Sequence, residues 1–206
     1  MSLFITFEGI DGCGKSTHLR LLKEYLESLG HSPLMPREPG GTSVGEKIRK
    51  LLLEKTEDKM TAETELLLFL ASRAQICREL IGPALQENKI VISDRFMDSS
   101  VAYQGYARGL SVDLVNDLNA FAVGSVIPDI TFLLDLDPQV AAQRIDERDK
   151  DSNRLDEEGI EFMQRVRRGF LAIAEKEPER VKVISSMADK ETVQNAIRQE
   201  LRRFLV

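Results

Sequence analysis

The chain contains, close to its N-terminus, the stretch Gly9-Ile10-Asp11-Gly12-Cys13-Gly14-Lys15-Ser16. This stretch matches the pattern G-x-x-x-x-G-K-[ST], whose backbone N–H groups curl around phosphate oxygens. An apolar run at residues 3–7 precedes it as a candidate strand, and leucines at helical spacing follow it. The lysine would supply a positive charge for the outer phosphates, and the serine a hydroxyl for Mg²⁺. The pattern therefore predicts a nucleotide-binding loop rather than a glycine-rich turn with an incidental lysine.

Length and charge limit the possible partners of the chain. Its 206 residues suffice for one core, and we assume a single domain over residues 1–206. The formal net charge of −6 argues against a nucleic-acid or anionic-membrane surface, because such a surface requires a clustered positive field. Cys13 and Cys77 are the only cysteines, so no disulfide framework is expected. No apolar run is long enough to span a membrane, and we expect a cytoplasmic enzyme.

Short β-type runs alternate with longer helical patterns along the whole chain. The predicted strands cover residues 3–7, 32–37, 90–93, 130–135 and 181–185. The predicted helices cover residues 16–29, 43–53, 61–81, 111–123, 138–147, 157–176 and 190–204. This alternation predicts an α/β fold in which helices flank a parallel sheet whose strands are buried on both faces.

Ligands of such folds bind beyond the carboxyl ends of the strands, and polar residues stand there in this chain. Arg37 and the turn Gly40-Gly41 lie where a second anionic substrate could approach, although a solvated connector would look the same. Asp94 follows an apolar strand, the usual setting for a carboxylate that holds Mg²⁺. The adjacent Arg95 could bind a second phosphate with its planar fork. The alternative for this pair is a structural ion pair.

Two further segments carry candidate base-binding residues. Phe69 and Arg73 are four residues apart, so they share one face of the predicted helix 61–81. They could stack on a base and hydrogen-bond to it, but a phenylalanine on a leucine-rich helix is more often a core residue. Several polar residues follow Asp94, and without other information they indicate only the polar start of a helix. They are Ser99, Ser100, Tyr103 and Gln104.

Residues 144–158 are almost all charged or polar, so this segment cannot pack as core. They include Arg144, Arg148, Lys150 and Arg154. One interpretation is a solvated loop, and the other is a mobile lid whose arginines move onto the transferring phosphates and exclude water.

The position of Cys13 also leaves two possibilities. Loop N–H groups, the dipole of the following helix and Lys15 would favour a reactive thiolate at this position. Alternatively, the loop shields the sulfur, which then only fills the space of a methyl group.

Taken together, five stretches resemble the thymidylate kinase family, and the resemblance runs the length of the chain. The phosphate loop is shared by many families, but the other four stretches in this order are not. The stretches are Phe7-Glu8-Gly9-Ile10-Asp11-Gly12-Cys13-Gly14-Lys15-Ser16-Thr17, Arg37-Glu38-Pro39-Gly40-Gly41-Thr42, Leu68-Phe69-Leu70-Ala71-Ser72-Arg73-Ala74-Gln75, Asp94-Arg95-Phe96-Met97-Asp98-Ser99-Ser100-Val101-Ala102-Tyr103-Gln104-Gly105 and Asp135-Leu136-Asp137-Pro138.

The resemblance implies a fold, a reaction and an assembly. The fold is the P-loop nucleoside-monophosphate-kinase fold, with five parallel strands, the first in the centre, and a mobile lid at about residues 144–158. The reaction is transfer of the γ-phosphoryl group of ATP to dTMP with Mg²⁺, giving dTDP and ADP. The usual assembly is a homodimer. Ile10, Asp11 and Cys13 are all non-basic, so the chain looks like the bacterial branch, whose catalytic arginines lie in the lid.

The resemblance also implies the roles of individual residues. The thymine would stack on Phe69 and receive hydrogen bonds from Arg73 and Gln104, with Tyr103 beneath the deoxyribose. The implied dTMP site comprises Asp11, Arg37, Glu38, Phe69, Arg73, Arg95, Ser99, Ser100, Tyr103 and Gln104. The ATP site comprises Gly9, Ile10, Asp11, Gly12, Cys13, Gly14, Lys15, Ser16, Thr17 and Arg144. The catalytic residues are Lys15, Asp94, Arg95, Arg148 and Arg154, and Ser16 and Asp94 would hold Mg²⁺.

Two other classes of function share parts of this pattern. A kinase for another nucleoside monophosphate would share the phosphate loop and lid but not the Phe69, Arg73, Tyr103 and Gln104 set. A nucleotide switch of the GTPase type would carry the guanine-reading motif N-K-x-D. The chain lacks this motif, since Asn88-Lys89 is followed by Ile90-Val91.

Overall fold

The computed structural model describes residues 2–54, 59–146 and 158–205. Within these residues, the core is a parallel sheet of four strands in the order β2-β1-β3-β4. All residues of β1 are buried, as expected for a central strand covered by helices on both faces. The strands are β1 (Leu3–Glu8), β2 (Ile90–Asp94), β3 (Ile130–Asp135) and β4 (Val181–Ser185).

The α/β fold with a parallel sheet is confirmed, with one difference from the five predicted strands. Residues 32–37 make only isolated parallel bridges to β2, which pair Leu34 with Val91 and Arg37 with Asp94. Proline has no N–H group to donate, and residues 33 and 36 are both proline. The segment therefore follows the free edge of β2 without forming a regular strand.

Helices cover both faces of the sheet, and their ends differ from the predicted ones by a few residues. The helix predicted at residues 61–81 continues through a π-helical turn, Cys77–Ile81, into α4. Likewise, α5 continues into a π-helical segment, Val101–Ala107. The helices of the described residues are α1 (Lys15–Ser28), α2 (Ser43–Leu53), α3 (Ala62–Ile76), α4 (Gly82–Gln86), α5 (Met97–Ser100), α6 (Val112–Val123), α7 (Pro138–Asp146), α8 (Ile160–Lys176) and α9 (Lys190–Leu201).

Local sequence explains where several helices begin. The Thr42 hydroxyl accepts the N–H of Gly45 at 2.9 Å and caps α2. The Asp189 carboxylate accepts the N–H of Thr192 at 2.9 Å and caps α9. Such caps satisfy backbone donors that a helix N-terminus leaves without an intrahelical partner. None of the helices described in the structure is long and apolar enough to cross a membrane.

Candidate active site

The phosphate-loop pattern lies between β1 and α1, at the carboxyl edge of the sheet. Gly9 and Gly14 adopt φ angles of 137° and 95°, in the region that favours glycine. A Cβ atom at Gly9 would lie 2.6 Å from the carbonyl oxygen of Leu134 on β3. Only glycine therefore lets the loop pass this close to the neighbouring strand, and the loop opens at the N-terminus of α1, where the helix dipole favours anions.

The Lys15 side chain lies inside the phosphate loop and bonds to its backbone. Its side chain is only 7% exposed, and Nζ donates to the carbonyl oxygens of Gly9 at 3.0 Å and Ile10 at 3.2 Å. The same Nζ lies 3.8 Å from Asp11 Oδ1. These contacts fix the ammonium group within the loop.

Arg95 connects the phosphate loop to Ser99, in the segment that follows β2. Its Nη1 donates to the Gly9 carbonyl at 2.9 Å and to the Ser99 hydroxyl at 3.3 Å, and its Nη2 pairs with Asp11 Oδ1 at 2.8 Å. The guanidinium carbon lies 5.0 Å from the centre of the Tyr103 ring. Arg95 has a φ of 71°, a conformation that costs a non-glycine residue about 1–3 kcal/mol and that often marks functional sites.

One pocket adjoins the phosphate loop, and Asp11 of the loop is among its lining residues. Every one of its lining residues belongs to the set predicted for dTMP: Asp11, Phe69, Arg73, Arg95, Ser99, Ser100, Tyr103 and Gln104. The structure thus brings together residues from three separate segments of the chain. Arg37 and Glu38, the remaining two of that set, do not line the pocket in the part of the chain that is described.

Arg73 is buried in a polar network. Its Nε donates to Glu38 Oε1 at 2.5 Å, and its Nη2 lies 2.5 Å from the same oxygen. Its Nη1 donates to Ser100 Oγ at 2.7 Å and to Asn119 Oδ1 at 2.8 Å. Burial raises the pKa of Glu38, while the charge and hydrogen bond of Arg73 oppose the rise. Within the described residues, three N–H groups of Arg73 donate hydrogen bonds, and Nη2, which is ion-paired with Glu38, keeps an N–H for a ligand.

Glu8, the last residue of β1, holds the segment that follows Arg95. Its Oε1 accepts the backbone N–H groups of Phe96 at 2.7 Å and Ser99 at 3.3 Å, and its Oε2 accepts the Ser99 hydroxyl at 2.6 Å. Burial raises the pKa of Glu8 to about 7 and the Asp98 carboxylate adds to the rise, while Arg95 and the hydrogen bonds oppose it. Glu8 thus ties the strand before the phosphate loop to the start of α5.

Asp94 and Ser16 have features suited to a cation. Asp94 ends β2 beside the phosphate loop, and its buried Oδ1 has no hydrogen-bond partner among the residues described. Ser16 is exposed in the first turn of α1. No group of three or more His, Cys, Asp or Glu side chains that could hold a metal occurs in the described ranges. Mg²⁺ sites of kinases need no such cage, since phosphates and water supply most of the ligands.

Two further predicted residues, Arg37 and Arg144, lie in the described part of the chain. Arg37 is exposed, and its Nη2 pairs with Glu46 Oε1 at 2.7 Å. Arg144, near the end of α7, donates to the carbonyl oxygen of Ser186 at 3.1 Å. Arg148 and Arg154, the predicted lid arginines, lie outside the described residues.

Both thiols are free and buried. Cys13 is fully enclosed, with its Sγ 3.9 Å from Lys15 Nζ and its carbonyl accepting the Ser186 hydroxyl. Burial raises the pKa of Cys77 to about 12. The enclosure of Cys13 supports the interpretation that its sulfur only fills space in the loop.

Three buried polar residues escaped the sequence analysis as site residues. Glu8 orients the start of α5, Glu65 contacts Gln104, and Asn119 contacts Arg73. No local pattern marks Glu65 or Asn119, because each lies close to other polar residues of its helix and looks like a member of a solvated face. Such a residue is buried only when it has a polar partner.

Comparisons with known proteins show which family the chain resembles. Residues 7–197 match the family model described as thymidylate kinase. The chain is 48% identical over 198 residues to the thymidylate kinase of Kosmotoga olearia, covering 96% of this chain and 94% of that protein. It is 44% identical to the enzyme of Desulfovibrio desulfuricans over 209 residues, covering 98% of this chain and 96% of that protein.

A solved structure agrees in its three-dimensional fold. The crystal structure of thymidylate kinase from Ehrlichia chaffeensis superposes with a TM-score of 0.78 at 39% identity, covering 98% of this chain and 99% of that one. These matches span nearly all of the chain, including the phosphate loop and every pocket residue. The chain therefore belongs to the thymidylate kinase family of ATP-dependent phosphotransferases.

Proposed function

We propose that the chain uses this site to phosphorylate dTMP, with ATP in the phosphate loop and dTMP in the adjoining pocket. The reaction transfers the γ-phosphoryl group of ATP to a phosphate oxygen of dTMP and gives dTDP and ADP, a step in dTTP synthesis. The bond from the γ-phosphorus to the bridging oxygen of ADP breaks as the bond to dTMP forms. The observation that carries the proposal is the single pocket lined by eight predicted residues directly beside Lys15 and Arg95.

In this proposal, ATP binds at the phosphate loop. Its backbone N–H groups and the start of α1 would hold the β- and γ-phosphates, and Lys15 would neutralise charge that develops during transfer. Arg95 contacts the loop at Gly9 and also lines the pocket, so it can bind a dTMP phosphate next to the γ-phosphoryl group. Arg144 would assist on the ATP side, from the end of α7.

The pocket residues match the groups of dTMP. Phe69 offers an apolar face for the base, and the remaining Nη2–H of Arg73 can donate to a base carbonyl. Tyr103 is buried against Phe162 and Phe170, with ring centres 6.1 and 6.2 Å away, so its ring is a fixed wall for the deoxyribose.

The residues beside the phosphate loop fit a Mg²⁺ ion. Asp94 Oδ1 is a buried carboxylate oxygen that lacks a partner among the described residues, and Ser16 offers an exposed hydroxyl. When bound, Mg²⁺ would neutralise phosphate charge and fix the orientation of ATP. Asp94 is held at its place by the pairing of β2 with β1, in which it lies opposite Phe7.

We also propose that residues 1–206 form one domain whose segment 144–158 acts as a lid. Phosphoryl transfer needs water to be excluded and charge to be neutralised on the outer oxygens. Arg148 and Arg154 are the candidate donors within this segment.

We propose a cytoplasmic location, where ATP and dTMP are available, and the two free thiols accord with a reducing compartment.

The substrate assignment is tested by measuring ADP release with dTMP, dUMP, UMP, dCMP, dGMP and AMP. We expect kcat/KM for dTMP to exceed that for AMP and dGMP by about 100-fold or more, because the pocket is built for a pyrimidine. Chelation of Mg²⁺ should abolish the activity with every substrate. Equal or higher kcat/KM with any other nucleotide would assign the chain to a different monophosphate.

A homodimer is the assembly that the exposed apolar surface favours. Helix α3 packs against both α2 and α6, and each of these helices exposes large apolar side chains. They are Val44 and Leu51 on α2, Leu67 on α3, and Leu114 and Phe121 on α6, and Phe121 is 81% exposed. Contiguous exposed apolar side chains of this kind usually mark an interface.

Phe121→Glu is expected to convert the dimer to a monomer, because it would place a charge in an apolar interface. Light scattering after size-exclusion chromatography measures the change. The matched control is Leu29→Glu, an exposed leucine at the end of α1, which should leave the molar mass unchanged. A wild-type chain that is monomeric at micromolar concentration would contradict the proposal.

A further inference from the structure

Glu65 is a buried carboxylate on the leucine-rich helix α3, 1% exposed, at the back of the base pocket. Its Oε1 accepts the amide nitrogen of Gln104 at 2.8 Å. The same oxygen accepts Nε of Arg108 at 3.2 Å, and Oε2 accepts Nη2 of Arg108 at 3.3 Å. Glu65 therefore links a pocket residue to a guanidinium group on the far side of the pocket wall.

Arg108 places a positive charge beside the Glu65 carboxyl group. Burial alone lowers the pKa of Arg108, but its contacts with Glu65 and Glu158 outweigh burial and raise the pKa. Its Nη1 pairs with Glu158 at 2.6 Å, and its guanidinium group stacks 4.6 Å from the centre of the Phe162 ring. Arg108 is therefore a fixed cation beside the Glu65 carboxyl group.

The hydrogen bond from the Gln104 amide nitrogen to Glu65 determines which end of the Gln104 amide faces the pocket. An ionised carboxylate only accepts hydrogen bonds, so the NH₂ end of the amide must point to Glu65. The amide oxygen is then the end that remains for the pocket, which Gln104 lines while being only 2% exposed. The pocket thus presents an acceptor beside the donor that Arg73 presents.

We infer that Glu65 is a specificity-determining positioning residue, which fixes Gln104 so that the pocket selects a base with a protonated N3. Thymine and uracil carry an N3–H donor, whereas the N3 of cytosine is an acceptor and would face the amide oxygen unpaired. The inference rests on the proposed function, since it assumes that the pocket binds the base of a pyrimidine monophosphate. Glu65 itself touches no substrate and acts through Gln104.

The test compares kcat/KM for dTMP, N3-methyl-dTMP and dCMP in the wild-type chain and in Glu65→Gln. The neutral carboxamide can donate as well as accept, so it no longer forces one orientation of Gln104. We expect the penalty for N3 methylation and the preference for dTMP over dCMP each to fall about tenfold, with KM for ATP unchanged. The control Glu158→Gln removes the other carboxylate of Arg108 without touching Gln104, and should leave both ratios unchanged.

The outcomes separate the inference from the function on which it rests. A wild-type chain that does not prefer dTMP to dCMP would overturn the proposed function itself. Unchanged ratios in Glu65→Gln, with a wild-type preference for dTMP, would make Glu65 purely structural. Glu65→Asp provides the same test should Glu65→Gln not fold, because it keeps the charge beside Arg108 but withdraws it from Gln104. It should lower both ratios, and unchanged ratios in this variant would equally overturn the inference.

Discussion

Lys15→Ala is expected to lower kcat by about 100- to 1,000-fold while the protein still folds. The ammonium group lies within the phosphate loop, bonded to the carbonyl oxygens of Gly9 and Ile10. We propose that it acts on charge that grows on the phosphoryl oxygens during transfer, and the loss of one such donor typically costs ~3–4 kcal/mol of transition-state stabilisation. Steady-state turnover at saturating ATP and dTMP measures the effect.

The matched control is Lys23→Ala on the same helix. The side chain of Lys23 is half-exposed and its Nζ lies 3.5 Å from Glu27, a surface ion pair that contributes little stability. This variant should keep wild-type kcat, and both variants should melt close to the wild-type temperature. A folded Lys15→Ala protein with near wild-type turnover would contradict the assignment of the phosphate loop.

The parts of the site that could be predicted from the sequence are those set by neighbouring residues. The phosphate loop is one continuous stretch in which Gly9 and Gly14 adopt the positive φ angles that glycine allows. Phe69 and Arg73 reach the same pocket because a helix places residues four apart on one face. In each case the local spacing determines the geometry, so the pattern is sufficient.

The parts that could not be predicted depend on partners distant in sequence. Arg73 was predicted to bind the base, but its partners Glu38 and Asn119 are 35 and 46 residues away. Glu8 holds Ser99 across 91 residues. Periodicity cannot reveal which buried polar residues will meet, because that depends on how the strands and helices pack. For the same reason, Glu65 looked like an ordinary acid on a leucine-rich helix.

Arg73→Met is expected to lower the free energy of unfolding by about 3–5 kcal/mol and also to weaken dTMP binding. Removing the guanidinium group leaves Glu38 buried without its charged partner, and an uncompensated buried charge has this cost. Loss of a charged donor to the base carbonyl adds an increase in KM for dTMP of about 10- to 150-fold. KM for ATP should not change, since Arg73 does not contact the phosphate loop. Chemical denaturation and steady-state kinetics measure the two effects separately.

The double variant Glu38→Gln, Arg73→Met separates stability from binding, because replacing both partners removes the unpaired charge. It should recover most of the lost stability but keep the raised KM for dTMP. The stability deficit of Arg73→Met should also depend on pH. Burial raises the pKa of Glu38 in the folded protein, so the protonated group is tolerated at low pH, and stability falls as the pH rises through this pKa. The deficit is therefore smallest in acid and grows towards neutral pH. A double variant that recovered both stability and wild-type KM for dTMP would show that Arg73 supports the pocket wall without binding the base.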